Sequence, residues 1–147
     1  MNPYVSFSIP AQAEYLDIVR LTLYSFATKA GFSFEEIEDM KVAVSEACNN
    51  TILHAYGDNE NGRIDLRLEH DGEHLRITIK DHGQSFVFSQ EGIGIPEQQE
   101  DIKDLAVGGL GIFLMEALMD DVRVSTGNGS GTEIVLSKRL SRNGEYV

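Results

Sequence analysis

The order of apolar and polar positions divides the chain into a short alternating segment, two helical runs, a hairpin, a glycine-rich joint and a final hairpin. Val5, Phe7 and Ile9 alternate with Ser6 and Ser8, the two-residue period of a strand. Pro10 punctuates the chain. Over residues 11–30, Leu16, Val19, Leu23, Phe26, Ala27 and Ala30 recur at helical spacing, and Gly31 ends the run. Ser33 followed by Glu36 is a capping box, so a second helix should begin near Phe34. Its buried stripe is Ile37, Met40, Val44, Ala47, Cys48, Thr51 and Ala55.

Residues 59–62 form a polar connection. Ile64, Leu66 and Leu68 then alternate with charged residues, as do Leu75, Ile77 and Ile79, around Asp71-Gly72, the pair a type I′ hairpin turn prefers. Residues 84–107 have little periodicity and carry Gly92, Gly94 and Pro96; a loop of that length in a compact domain tends to be a lid or binding loop. Gly108-Gly109-Leu110-Gly111 leads into a helix ending near Leu118. Val122 to Ser125 and Thr132 to Arg139 make a last hairpin around a turn from Gly127 to Gly131. The sum is an α+β fold, a mostly antiparallel sheet with helices packed on one face.

Composition narrows the function. With 147 residues, 41% hydrophobic and 24% charged, the chain is expected to form one globular domain over 1–147. The net charge of −12 argues against nucleic acid, whose phosphates need clustered Lys and Arg, and favours basic protein surfaces. Cys48 stands alone inside a helical pattern, which fits a buried thiol in a reducing compartment. No apolar run approaches the ~20 residues of a membrane span, and no signal segment is visible, so a cytoplasmic protein is expected.

Glu46 and Asn50 are four apart on the second helix and share a face, with Asp39, Ala43 and Leu53 nearby. A carboxylate and an amide oxygen so placed can divide two tasks. The amide is a hard ligand for Mg²⁺, and the carboxylate can take a proton from an attacking hydroxyl. Small Ala43 leaves room beside them for a ligand. An exposed Glu/Asn pair is also what a solvated helix face looks like. Asp81, at a strand end and followed by Gly83, can accept from an exocyclic amine such as that of adenine, or can serve only its turn. The glycines from Gly108 to Gly111 before a helix suit phosphates, or form a simple joint. Thr132 follows Gly131 at the start of the last strand, within reach of a base or bridging water.

In this order (Glu-x-x-x-Asn, Asp-x-Gly, a long loop, a glycine-rich helix start and Gly-Thr) the features resemble the GHKL, or Bergerat-fold, ATP-binding superfamily over nearly the whole chain. Pro10-Ala11-Gln12, Arg20-Leu21-Thr22-Leu23, Ala43 through Cys48, His54-Ala55-Tyr56 and Gly108 through Asp120 resemble its RsbW branch of anti-sigma serine-protein kinases. The resemblance implies that Glu46 is the general base and Asn50 the Mg²⁺ ligand in ATP binding. It implies that Asp81 reads the adenine amino group, supported by Gly83 and Thr132, and that Gly108, Gly109, Leu110 and Gly111 meet the phosphates. Residues 84–107 would be the ATP lid. Where the superfamily commonly has a second glycine after Asp-x-Gly, this chain has Gln84-Ser85.

Transfer also needs positive charge at the γ-phosphate, and Lys103 is the one Lys or Arg between Asp81 and Asp121. Arg20 is a candidate shared contact for a sigma factor of the sigma-B type and an anti-anti-sigma protein of the RsbV type. A homodimer is expected, with Tyr4 to Ile9 and the first helix as interface segments. The alternative is a GHKL module that binds nucleotide without catalysis. A histidine-kinase domain or a gyrase-like ATPase fits the chain poorly, and His54 reads as structural.

Overall fold

The computed structural model describes residues 1–53, 62–83, 110–126 and 131–141. The chain runs β1 (Tyr4–Pro10), a 3-10 turn (Ala13–Tyr15), α1 (Leu16–Ala30), α2 (Phe34–Thr51), β2 (Arg63–His70), β3 (His74–Asp81), α3 (Leu110–Leu118), β4 (Asp121–Thr126) and β5 (Thr132–Arg139). The strands form one sheet in the order β1-β2-β3-β5-β4, and every neighbouring pair is antiparallel. The α+β expectation therefore holds.

Local chemistry sets the boundaries. The helical run expected from residue 11 begins as the 3-10 turn and becomes α-helical at Leu16, while Ala11 N–H donates to the Gly62 carbonyl at 2.8 Å. Gly31, at φ +103°, closes α1. Its N–H and that of Phe32 return to the carbonyls of Thr28 and Ala27 in a Schellman arrangement. The capping box opens α2 as expected: Glu36 N–H donates to Ser33 Oγ at 3.1 Å, and Ser33 N–H donates to Glu36 Oε1 at 2.8 Å.

The β2–β3 connection differs from its expectation. It spans residues 71–73, and Gly72 is the position with positive φ, whereas a type I′ turn needs two. Asp71 supplies the missing closure through its side chain, its Oδ1 accepting from the N–H groups of Glu73 and His74.

The strands alternate as the sequence requires. Ile64, Leu66 and Leu68 of β2, Leu75, Ile77 and Ile79 of β3, and Ile134 and Leu136 of β5 are all buried. They meet Val19, Leu23 and Ala27 of α1, Ile37, Met40, Val44 and Ala47 of α2, and Ile112 and Met115 of α3 in one core. Each large apolar side chain so buried contributes roughly 1.5–3 kcal/mol. The other sheet face carries polar rows such as Ser6, Arg67 and Thr78, with the Arg67 guanidinium 3.8 Å above the Tyr4 ring. Among the described residues no helix is long and apolar enough to cross a membrane.

Two contacts fix how α2 lies on the sheet. Ser141 Oγ donates to Glu36 Oε2 at 2.8 Å, and Lys138 Nζ lies 3.9 Å from Asp39 Oδ2. The start of α2 is thus tied to the end of β5. Thr132 lies about 20 Å back along β5 from Lys138, and Asn50 about 16 Å along α2 from Asp39. Asn50 therefore lies toward the end of α2 and Thr132 at the start of β5, each remote along its own element from this tie.

Candidate nucleotide site

Two small clusters hold the polar residues that the sequence singles out. The first lies where α3 begins against the last turns of α2. Glu46 is half-buried, and Asn50 is 2% exposed with Nδ2 unpartnered among the described residues. A Cβ on Gly111 would stand 2.9 Å from Asn50 Nδ2 and 3.3 Å from Glu46 Oε2. Glycine at 111 therefore lets the first turn of α3 descend onto the carboxylate–amide pair. Ala43, expected beside the ligand, is fully buried in the core, whereas Leu53 is exposed.

The second cluster lies where the end of β3 meets the start of β5. Asp81 and Thr132 are one step beyond the Lys80–Glu133 register pair, and both face the helices, 0% and 2% exposed. Gly83 N–H donates to Asp81 Oδ1 at 3.0 Å, and the Thr132 N–H also reaches the carboxylate. Oδ2 is buried and has no partner among the described residues. Burial pushes the Asp81 carboxyl up, and these two N–H groups offset the rise only in part.

Buried polar atoms without partners are few in folded proteins, and each calls for an explanation. Of the three such side-chain atoms among the described residues, two are Asn50 Nδ2 and Asp81 Oδ2. The third, His70 Nδ1, belongs to a ring that meets Phe26 edge-on at 5.4 Å. The sequence marked both site residues, Asn50 and Asp81.

This chemistry fits ATP with Mg²⁺. A buried acceptor suits an exocyclic amine, and the start of a helix with no Cβ in the way suits phosphate oxygens. When bound, Mg²⁺ would neutralise phosphate charge, with the Asn50 amide oxygen as its ligand from this chain.

The remaining expectations are placed as follows. Gly108, Gly109, Lys103, His54 and residues 84–107 lie outside the described residues. Leu110 opens α3. Cys48 is fully buried, and burial pushes its thiol up to about 12, with Arg20 pulling slightly the other way; it is the structural cysteine the sequence indicated. Arg20 is half-buried, and its guanidinium donates to Ser45 Oγ at 3.0 Å, joining α1 to α2 one residue from Glu46. No sequence signal marked Ser45. Nor did the sequence show that Gly131 touches Asp81, although a glycine before the strand-opening threonine was its trace.

Comparison with known proteins agrees with this geometry. Residues 9–138 match the model of the histidine kinase-like ATPase domain. The serine-protein kinase RsbW of Bacillus subtilis is 42% identical over 146 residues, covering 98% of this chain and 89% of that protein. That of Oceanobacillus iheyensis is 43% identical over 140 residues, with coverage of 94% and 87%. That of Staphylococcus aureus is 39% identical over 150 residues, with coverage of 98% and 94%. The solved RsbU and RsbW domains of a Mycobacterium tuberculosis protein share the fold at a TM-score of 0.69 and 24% identity, covering 99% of this chain and 34% of that one. This chain belongs to the RsbW family of serine-protein kinases, built on the histidine kinase-like ATPase domain.

Proposed function

We propose that this chain transfers phosphate from ATP to a serine of an anti-anti-sigma protein of the RsbV type, and that it holds a sigma factor of the sigma-B type when that antagonist is phosphorylated. The observation that carries the reading is the pairing of Glu46 with Asn50 beneath the glycine start of α3, and the buried Asp81 acceptor at the end of β3 supports it. In this reading Glu46 takes the serine Oγ proton as the oxygen attacks the γ-phosphorus, while the bond to the β–γ bridging oxygen breaks and ADP leaves. Asp81, Gly83 and Thr132 hold the adenine edge. Gly108, Gly109, Leu110 and Gly111 are assigned to the phosphates, Asn50 would hold Mg²⁺, which would supply charge neutralisation when bound, and Lys103 of the expected lid, residues 84–107, would add positive charge.

The partners are read onto α1. Ile18, Leu21 and Tyr24 are 44%, 68% and 45% exposed along one stripe, and Val5 on β1 is 36% exposed. This apolar surface supports a homodimer or partner contact there. Arg20, tied to Ser45, carries a partner's contact toward the helix that holds Glu46. In this reading the chain works in the cytoplasm as a single domain over 1–147.

Radiolabel transfer from ATP to the antagonist tests the reading. Glu46→Gln should lower the turnover rate by about 10²–10⁴-fold while leaving ATP affinity within about threefold. A chain that binds ATP but transfers nothing even with Glu46 intact would instead be a nucleotide-binding module without catalysis.

A further inference from the structure

At the base end of the site two strands approach more closely than side chains permit. Gly131 has φ +107°, and a Cβ there would lie 2.0 Å from the Asp81 carbonyl oxygen, 2.8 Å from its carbonyl carbon and 3.0 Å from Oδ1. The first two are main-chain atoms of the middle strand of the sheet, so no side chain can swing aside. Any other residue at 131 must push the start of β5 from the end of β3 by about 1 Å, because Cβ contacts below 3.0 Å essentially never occur. The next residue is Thr132, whose N–H helps hold the Asp81 carboxylate with that of Gly83. The glycine, the carboxylate and the two N–H groups form one clamp, with Oδ2 buried and left over.

We infer that Gly131 is the positioning residue for nucleobase choice: seated on the Asp81 main chain, it fixes Asp81 and Thr132 so that Oδ2 accepts only from a purine whose amino group is on C6. The inference rests on the reading that Asp81 meets the base. Adenine offers an amino donor there. Guanine presents a carbonyl oxygen, and an acceptor facing a buried acceptor leaves both unpaired. Opening the clamp by about 1 Å admits water between carboxylate and base and relaxes the discrimination.

The experiment compares Gly131→Ala with Gly72→Ala. Gly72 has a similar φ of +94°, and among the described residues nothing lies within 4 Å of a Cβ there, so it isolates backbone strain from contact. KM and kcat are measured with ATP and with GTP. The unmodified protein should prefer ATP by roughly 10²-fold or more. Gly131→Ala should raise the KM for ATP by about tenfold, leave GTP nearly unchanged, and keep kcat at saturating ATP within about threefold, because the Glu46–Asn50 cluster is untouched. Gly72→Ala should change neither nucleotide's constants.

A Gly131→Ala protein that keeps its full ATP preference overturns the inference. Asp81→Asn separates this failure from that of the wider reading, since an amide can accept from adenine or donate to guanine. Preference lost in Asp81→Asn but kept in Gly131→Ala sinks only the role of Gly131. Preference kept in both sinks the assignment of Asp81 to the base, and the inference with it. If Gly131→Ala does not fold, amide exchange of the unmodified protein decides. The Thr132 and Gly83 N–H groups should be slowed more by ATP than by GTP, and equal slowing overturns the proposal.

Discussion

The two ends of α2 are built on opposite rules. At its start Ser33, Glu36, Ser141 and Lys138 all find partners. The Glu36 carboxylate accepts from Ser33 N–H and from Ser141 Oγ, both at 2.8 Å, while Lys138 Nζ donates to the Leu118 carbonyl at 2.7 Å and faces Asp39. At its far end Asn50 and, at the end of β3, Asp81 bury polar atoms that find no partner among the described residues. Satisfied groups hold a structure in one place. Unsatisfied ones hold it ready for something else, at a cost in stability.

The comparison breaks most readily at the satisfied end. Glu36→Ala removes half of the capping box and strands the Ser141 hydroxyl, and should lower unfolding free energy by about 2 kcal/mol. ATP affinity should stay within about threefold. Urea denaturation and calorimetry check both, and a large loss of ATP binding would mean that the two ends are not separable. Asn50→Leu should do the reverse. Replacing a buried amide whose Nδ2 has no partner among the described residues by a near-isosteric apolar side chain should raise stability by about 1 kcal/mol while weakening ATP binding at least tenfold. A destabilised Asn50→Leu protein would show that Asn50 is already partnered without nucleotide.

The smallest expected effects are in acid, and there the ends differ in sign. Burial raises the Glu36 carboxyl, but the hydrogen bonds from Ser33 and Ser141 outweigh it and hold the group below its ordinary value. Its stabilisation is therefore complete above that ordinary value and is lost as pH falls through the lower, folded one. Asp81 is raised, so the folded protein takes up its proton more readily than the unfolded chain. Its contribution favours folding at low pH and is lost as pH rises through the raised value. A donor from the base favours the ionised form, so ATP should bind more weakly as pH falls through that value. Glu36→Gln should flatten the acid loss of stability, and Asp81→Asn should flatten the acid loss of ATP affinity; titrations of both variants against the unmodified protein measure it.

Much of this was legible in the sequence because it rests on local rules. Alternation in β2 and β3 and the stripe on α2 follow from burying one face, and Ser33 with Glu36 announces its own hydrogen bonds. Glu46 and Asn50 share a face by helical geometry alone. What stayed hidden depends on approach between distant segments. The contact of Gly131 with Asp81 is set by how β5 seats beside β3, and that of Gly111 with Asn50 by how deeply α3 settles on α2. Nothing in residues 71–73 told that Asp71 would close its turn through the side chain rather than through a second positive φ. Nor does the sequence tell that Arg20, a candidate partner contact, donates to Ser45 Oγ on the neighbouring helix.

The chain leaves the sheet at Asp81 and re-enters the described structure at Leu110. β3 gains its register from β2 and β5, and α3 gains its seat from α2, so neither depends on the length of what joins them. The intervening stretch can gain or lose residues over generations without shifting a strand pair. A change of length there should leave the strand pairs among the described residues in register, so the sheet and the joining stretch can vary independently.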